Sequence, residues 1–268
     1  AWSWRTAITA VALVALGAIA ALAIREWRPD SVAQVYRVAI ATPPGVDVAG
    51  QALGPVASRL ALSPDGAFLA FTARGDDGIP RLWIRPLDDQ AARQLNGTEG
   101  ASYPFWAPDG SAIAYFSSNG ELKRVGRTGG SPQTIIAGAR SPNAINPQNW
   151  GGGGSWSRDD VIVFARRQGS PIQRVNATGG ALSPVTSFDA AAETFHGFPS
   201  FLPDGRHFVY LALGRASNPL GVYVGSIDGA AAKGVMGGGS NPVFANGHLL
   251  SSPDPSSPLM LFGADALG

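Results

Sequence analysis

Glu99, Ser102, Tyr103, Trp150, Glu193 and His196 are the side chains of this 268-residue chain best suited to recognition chemistry: two carboxylates, a hydroxyl, two aromatic rings and an imidazole. An imidazole titrates near neutrality and moves protons, while Tyr and Trp stack on a ligand and hydrogen-bond it with the same ring. His196 reads as a lone histidine without nearby carboxylates, which favours a structural role. Asp65, Asp109 and Asp204 suggest a different chemistry, a ring of carboxylates around a cation, but a role in tight turns explains them better. Trp106 and Trp156 could also stack on a ligand, although burial is the default for aromatics at a repeated position. Asn96-Gly97-Thr98 and Asn176-Ala177-Thr178 fit the glycosylation pattern, which matters only in a host with that machinery.

Reaction chemistry finds less support. The chain has no cysteine, which removes disulfides, thiolate nucleophiles and Cys-based zinc sites together. It has no Gly-x-Ser-x-Gly elbow, no Gly-rich phosphate loop followed by a strand lysine, no His-Arg-Asp and no Asp-Phe-Gly. The run Gly151 to Gly154 lacks a following lysine and opens onto a predicted strand rather than a helix, so it reads as a loop and not a phosphate cradle. With 20 Lys+Arg against 19 Asp+Glu, no basic excess draws in nucleic acid. No catalytic residue, metal site or cofactor is expected within this chain.

The elements that must position these side chains announce themselves by repetition. Pro-Asp-Gly occurs at 64–66, 108–110 and 203–205, with a degenerate copy at Arg158-Asp159-Asp160 and a fainter one at Ala245-Asn246-Gly247. The central residues are 44, 50, 45 and 42 positions apart. Proline presets the first turn dihedral, aspartate bonds its own backbone, and glycine takes the left-handed conformation. Asp65, Gly66, Asp109, Gly110, Asp159, Asp204 and Gly205 are therefore assigned to hairpin turns. A period in the forties built from short strands predicts a β-propeller.

Each turn is followed by an apolar strand: Phe68-Leu69-Ala70-Phe71, Ala112-Ile113-Ala114-Tyr115, Val161-Ile162-Val163-Phe164 and His207-Phe208-Val209-Tyr210. Runs apolar on both faces suit sheets sandwiched between neighbours. An aromatic-bearing segment precedes three of the turns, at 103–106, 154–156 and 198–201, and is read as the innermost strand. Third strands follow at 81–85, 121–125, 171–175 and 222–224, then Gly-rich turns and short outer strands such as 133–136 and 183–186. Four-stranded antiparallel blades are expected to start near 59, 102, 153, 197 and 241. About four are complete and the fifth is partial, so the ring over 59–268 is expected to be incomplete and cut at its C-terminal end. The 35 glycines, 21 prolines and 15% charged residues suit such short strands and turns. The six recognition candidates lead into inner strands, where loops of all blades converge on one channel mouth.

The first 58 residues differ in kind. Ala7 to Ile24 is an apolar run broken only by Thr9, with Trp2, Trp4 and Arg5 on one side and Arg25, Trp27 and Arg28 on the other. Its length approaches the ~20 residues that span a bilayer, and the flanks match an interfacial girdle. Residues 1–28 are expected to be one transmembrane α-helix with its flanks, meeting the membrane through residues 6–24. The alternative is a signal peptide cleaved near Ala21-Leu22-Ala23. A retained anchor is favoured by the length of the run and by a first residue other than methionine. Residues 29–58 read as a connector, in which 35–40 alternates like a strand that could close the ring.

The phrases Leu82-Trp83-Ile84-Arg85-Pro86-Leu87-Asp88, Leu95-Asn96-Gly97-Thr98-Glu99-Gly100-Ala101 and Tyr103-Pro104-Phe105-Trp106-Ala107-Pro108-Asp109-Gly110 carry a family likeness, continued by Gly153-Gly154-Ser155-Trp156 and by 196–205. Together they resemble the TolB-like, WD40-like propeller region of bacterial transmembrane serine/threonine protein kinases, from the membrane segment to about Gly247. The Pro-Asp-Gly repeat alone is shared with TolB itself and with propellers of prolyl oligopeptidase-like peptidases. The resemblance implies a single-pass inner-membrane protein with an extracytoplasmic propeller and a kinase domain upstream, which alone would need ATP and magnesium. The convergence of loops at a propeller entrance suits a protein, peptide or glycan as partner at the mouth. A TolB-like periplasmic adaptor, a peptidase propeller and the sensor of a membrane-bound winged-helix regulator stay open as alternatives.

Overall fold

Apolar strands that alternate which neighbour they touch create this fold. In β10 (Val161–Ala165), Ile162 and Phe164 join the core shared with the preceding sheet, while Val163 joins the core shared with the following one. In β6 (Ala112–Phe116), Ile113 and Tyr115 face backward and Ala114 and Phe116 face forward. Both faces of such a strand are buried, so a continuous apolar run replaces the usual alternation. The computed structural model describes residues 60–138, 152–166, 169–215, 221–238, 241–245, 247–251 and the backbone of 260–263. The apolar run 7–24, the connector 29–58 and Trp150 lie outside the described residues. Among the described residues, no helix is long and apolar enough to cross a membrane.

The sheets are antiparallel meanders following chain order. Blade 1 contains β1 (Leu60–Leu62), β2 (Phe68–Arg74), β3 (Pro80–Pro86) and β4 (Arg93–Gln94). Blade 2 contains β5 (Ser102–Trp106), β6, β7 (Leu122–Gly126) and β8 (Gly129–Ile136). Blade 3 contains β9 (Gly154–Trp156), β10, β11 (Ile172–Asn176) and β12 (Ser183–Pro184). Blade 4 contains β13 (Glu193–Phe201), β14 (His207–Gly214), β15 (Gly221–Ser226) and β16 (Lys233–Gly237). A three-stranded sheet, β17 (Val243–Ala245), β18 (His248–Ser251) and β19 (Met260–Gly263), follows as blade 5. The first strands of successive blades pack side by side. The described chain is thus an all-β, propeller-like fold of antiparallel four-stranded blades.

Two details differ from the sequence reading. Strand β8 already begins at Gly129, because Gly126 and Gly129 pair across a tight turn that the glycine conformations permit, with φ of 102° at Gly129 and 106° at Gly130. Strand β13 begins at Glu193, well before the aromatic segment at 198–201, and holds two register shifts.

The repeated turns share one hydrogen-bonding scheme. The N–H groups of Gly66, Gly110, Asp160 and Gly205 donate to the carbonyls three residues earlier, at 2.9, 2.9, 3.2 and 3.0 Å. Their φ values are 70°, 70°, 57° and 71°, so Asp160 occupies the left-handed position that glycine fills in the other copies. Asp65, Asp109 and Asp204 direct Oδ1 at their own backbone, accepting from the N–H groups of Ala67, Ser111 and Arg206 at 3.0, 2.9 and 2.9 Å. Asp159 N–H donates to the Ser157 hydroxyl at 3.3 Å.

Side chains also stitch one blade to the next. Trp106 Nε1 donates to the Ala61 carbonyl at 2.8 Å, while the hydroxyls of Ser155 and Ser200 accept from the N–H groups of Phe201 and Phe244 at 3.1 and 3.3 Å. Ser155 and Ser200 stand at the same repeat position, four residues before the turn aspartate. Phe105 takes that position in blade 2, and its ring occupies the space over Gly154 where a Cβ would lie.

Candidate functional site

The first strands of blades 2 and 4 each carry a bulge around the residue six positions before the turn aspartate. Ser102 pairs with Phe116 and Phe105 with Ala114, three steps on one strand against two on the other. Gly197 pairs with Leu211 and Ser200 with Val209 in the same way. Each bulge holds an aromatic residue in the left-handed region, Tyr103 at φ 49° and Phe198 at φ 52°. For a bulky L-residue this costs about 1–2 kcal/mol. The equivalent residue of blade 3, also six positions before the turn, is Gly153, with φ 70°.

This pattern brings aromatic rings of two blades together. Rings from blades 2 and 4 meet above the glycines of blade 3: the Tyr103 and Phe198 centroids lie 6.5 Å apart, and Phe195 and Phe198 lie 5.5 Å apart. Phe195, Phe198, Leu211 and Tyr103 form one cluster. Phe198 N–H donates to the Gly152 carbonyl, tying blade 4 to blade 3. A Cβ on Gly152 would strike the Phe195 ring and come within 2.9 Å of Gly197 Cα, so only glycine permits this approach.

Next to Phe195, His196 points into the seam between blades 3 and 4 and is 1% exposed. Its ring lies edge-on to Tyr210 and Phe188, each 5.1 Å away. Thr186 Oγ1 lies 3.0 Å from Nδ1 and accepts the Ile172 N–H at 2.9 Å, and with the Glu193 carboxylate facing Nε2 its own proton is assigned to Nδ1. That assignment leaves the imidazole proton on Nε2. Nε2 lies 3.2 Å from Glu193 Oε2, off the line of a well-formed hydrogen bond and with no other partner. Glu193 Oε2 accepts the Asp189 N–H at 2.7 Å. Burial lowers the affinity of the imidazole for a second proton, and the Glu193 carboxylate opposes that only in part. Burial thus favours the neutral ring.

The reading of His196 as a histidine without nearby carboxylates is therefore corrected. On a regular strand, residues three apart face opposite sides, but the register shift between Glu193 and Phe195 reverses the phase and brings Glu193 and His196 together. The hydroxyl, imidazole and carboxylate have the connectivity of a proton relay. Thr186 is nevertheless held by the Ile172 N–H and His196 is sealed from solvent, an arrangement suited to holding blades together.

The remaining candidates are spread apart. Glu99 Oε1 accepts from Arg81 Nε at 3.1 Å, and Arg81 Nη2 lies 2.8 Å from Asp77 Oδ2. A backbone N–H and then the Arg81 guanidinium hold the Glu99 carboxyl below its ordinary value. The Ser102 hydroxyl donates to the Phe116 carbonyl at 3.3 Å. The structure thus gathers Tyr103 with Phe198, and Glu193 with His196, but leaves Glu99 in a separate charged group. Phe195, Phe198 and Thr186 were missed as site residues. For Phe198 the signal was available: it aligns with Tyr103 and with a glycine.

Antiparallel meander sheets with adjoining first strands make a TolB-like, propeller-like fold. The fold is similar to TolB from Acinetobacter baumannii, with TM-score 0.55 and 15% identity over 77% of this chain and 51% of that one. It is also similar to a chain of a nidogen/laminin complex, with TM-score 0.57 and 10% identity over 77% and 75%, and to an oligogalacturonate lyase in complex with manganese, with TM-score 0.50 and 15% identity over 75% and 63%. In sequence it is 30% identical over 167 residues to the uncharacterized peptidase YuxL of Bacillus subtilis strain 168. That match spans 60% of this chain and 23% of the relative. No family model matches.

Proposed function

We propose that this chain is a recognition module: an extracytoplasmic propeller, tethered by the apolar segment 7–24, that binds a protein, peptide or glycan at its mouth. In this reading it is the non-catalytic part of a receptor-like serine/threonine protein kinase. The observation that carries the binding role is the pair of strained aromatics, Tyr103 and Phe198, converging over the blade 3 glycines. Backbone strain concentrates at ligand clamps, where the surrounding structure holds it in place. The kinase parentage is supported by the family resemblance of the sequence, and the membrane location by the girdled apolar run.

The test is a binding screen of the detergent-solubilised full chain against peptide and glycan arrays, repeated with Tyr103→Ala. Loss of about tenfold or more in affinity with an unchanged fold supports the mouth as the site; undiminished binding refutes it. A second reading, the substrate-selecting propeller of a peptidase, is favoured by the likeness to YuxL. The residues flanking this chain in its parent polypeptide separate the two, since a His-Arg-Asp loop upstream and a Gly-x-Ser-x-Gly elbow downstream are mutually exclusive expectations.

A further inference from the structure

Glu193 and His196, read from sequence as recognition candidates, are drawn with Thr186 into the seam, where they place a sealed imidazole one residue from the aromatic cluster. We propose that they form a proton-operated latch between blades 3 and 4, in which His196 exchanges Thr186 across the seam for Glu193 on its own strand when the surroundings turn acidic. The proposal stands whether or not the mouth binds a ligand.

In the neutral state Nδ1 accepts the Thr186 hydroxyl, and this bond joins the segment after β12 to β13. A proton added at Nδ1 turns that nitrogen into a donor. Thr186 Oγ1 would then receive both Nδ1–H and the Ile172 N–H, leaving its own proton without the acceptor it now uses. The new charge has one carboxylate to meet, Glu193, whose Oε2 lies 3.2 Å from Nε2 and is presently held by the Asp189 N–H. Other groups against the ring bring no charge. From β14 comes Tyr210, with Tyr223 of β15 behind it, and burial raises the Tyr210 phenol above its ordinary value, so it stays neutral in acid. From the segment after β12 come Phe188 and the Thr186 hydroxyl.

Position links this exchange to the mouth. His196 lies between Phe195, whose ring covers Gly152, and Gly197, whose Cα limits the approach of blade 3. Two residues on, Phe198 N–H donates to Gly152. Loss of the Thr186 bond releases across the seam the strand that carries all three contacts.

The direction of the pH response follows from burial. The folded state binds the His196 proton less readily than the unfolded chain does, so the contribution of the neutral ring is complete above the ordinary histidine range near pH 6.5 and is lost as pH falls below it. One proton changes the folded-to-unfolded ratio by at most about tenfold per pH unit.

The experiment measures unfolding of the solubilised full chain between pH 5 and 8, with histidine NMR titration and the hydrogen-exchange protection factor of the Phe198 amide. Wild-type protein should lose stability and Phe198 protection below about pH 6.5. His196→Gln should flatten both responses in that window, Glu193→Gln should extend the loss to lower pH, and Thr186→Ser should behave as wild type. Titration of His196 at or above the ordinary histidine value overturns the proposal, as does an unchanged acid response in His196→Gln. Should His196→Gln fail to fold, the wild-type titration and the Glu193→Gln shift decide. Phe198 protection that stays constant while His196 titrates also refutes the latch.

Discussion

Two glycines of blade 3, two residues apart, should answer the same substitution differently. A Cβ on Gly154 would come within 2.7 and 2.8 Å of the Phe105 ring and 3.2 Å of the Val163 carbonyl. A Cβ on Gly152 would meet the Phe195 ring too, but also Gly197 Cα at 2.9 Å and Phe198 N at 3.1 Å. Overpacking of this kind costs about 1–3 kcal/mol. A ring can rotate or be shortened, whereas backbone moves only if β9 and β13 separate. Gly154→Ala should therefore destabilise by about 1–3 kcal/mol and be substantially rescued by Phe105→Leu. Gly152→Ala should fall at or above the top of that range and resist rescue by Phe195→Leu. Urea unfolding of the four single and two double variants gives the two coupling energies, which between contacting residues run to about 0.5–3 kcal/mol. Equal rescue at both sites, or a neutral Gly152→Ala, would refute the claim that backbone contact defines the blade 3–blade 4 seam.

Two further outcomes concern the turns. Asp204→Ala removes an acceptor used by the N–H groups of Arg206 and His207, each at 2.9 Å, and should lower stability by about 1 kcal/mol at neutral pH as read by urea midpoint. Burial pushes the Asp204 carboxyl up, but the His207 side chain and the two backbone N–H groups outweigh it, so its contribution persists above the ordinary carboxylate range near pH 4 and disappears in stronger acid. At the degenerate turn, Asp160→Asn should change the midpoint little because Asn tolerates the left-handed conformation, whereas Asp160→Val should cost about 1–2 kcal/mol by forcing a branched residue there.

The repeat was legible because turn chemistry is local. Proline, aspartate and glycine act on the four or five residues around them, so Asp65, Asp109 and Asp204 could be placed in hairpins from sequence alone. Apolar strands such as 161–165 were legible for a related reason, since no charged residue interrupts them. The Glu193–His196 contact was not, because a one-residue register shift decides whether residues three apart share a face. Thr186 reaches His196 from the preceding blade, and no local pattern encodes a contact across a seam. The apolar run 7–24 and Trp150 fall outside the described residues.

The unequal treatment of one repeat position is the feature on which the proposed recognition role turns. Tyr103, Gly153 and Phe198 stand at the same repeat position with the same sign of φ, at 49°, 70° and 52°. Glycine adopts this geometry freely, and blade 3 shows that the architecture accepts it there. Blades 2 and 4 instead place an aromatic residue ahead of proline, a neighbour that narrows its conformational choices further. Each carries about 1–2 kcal/mol of strain that a glycine would relieve. Burial of a ring offsets such a cost at Phe198, which is 8% exposed, but less so at Tyr103, which stays half-buried at the rim. Tyr103→Gly should thus cost less stability than Phe198→Gly in urea unfolding, while both remove a ring from the mouth. If Tyr103→Gly proves the more damaging, packing alone explains the tyrosine, and the aromatic pair ceases to argue for a ligand.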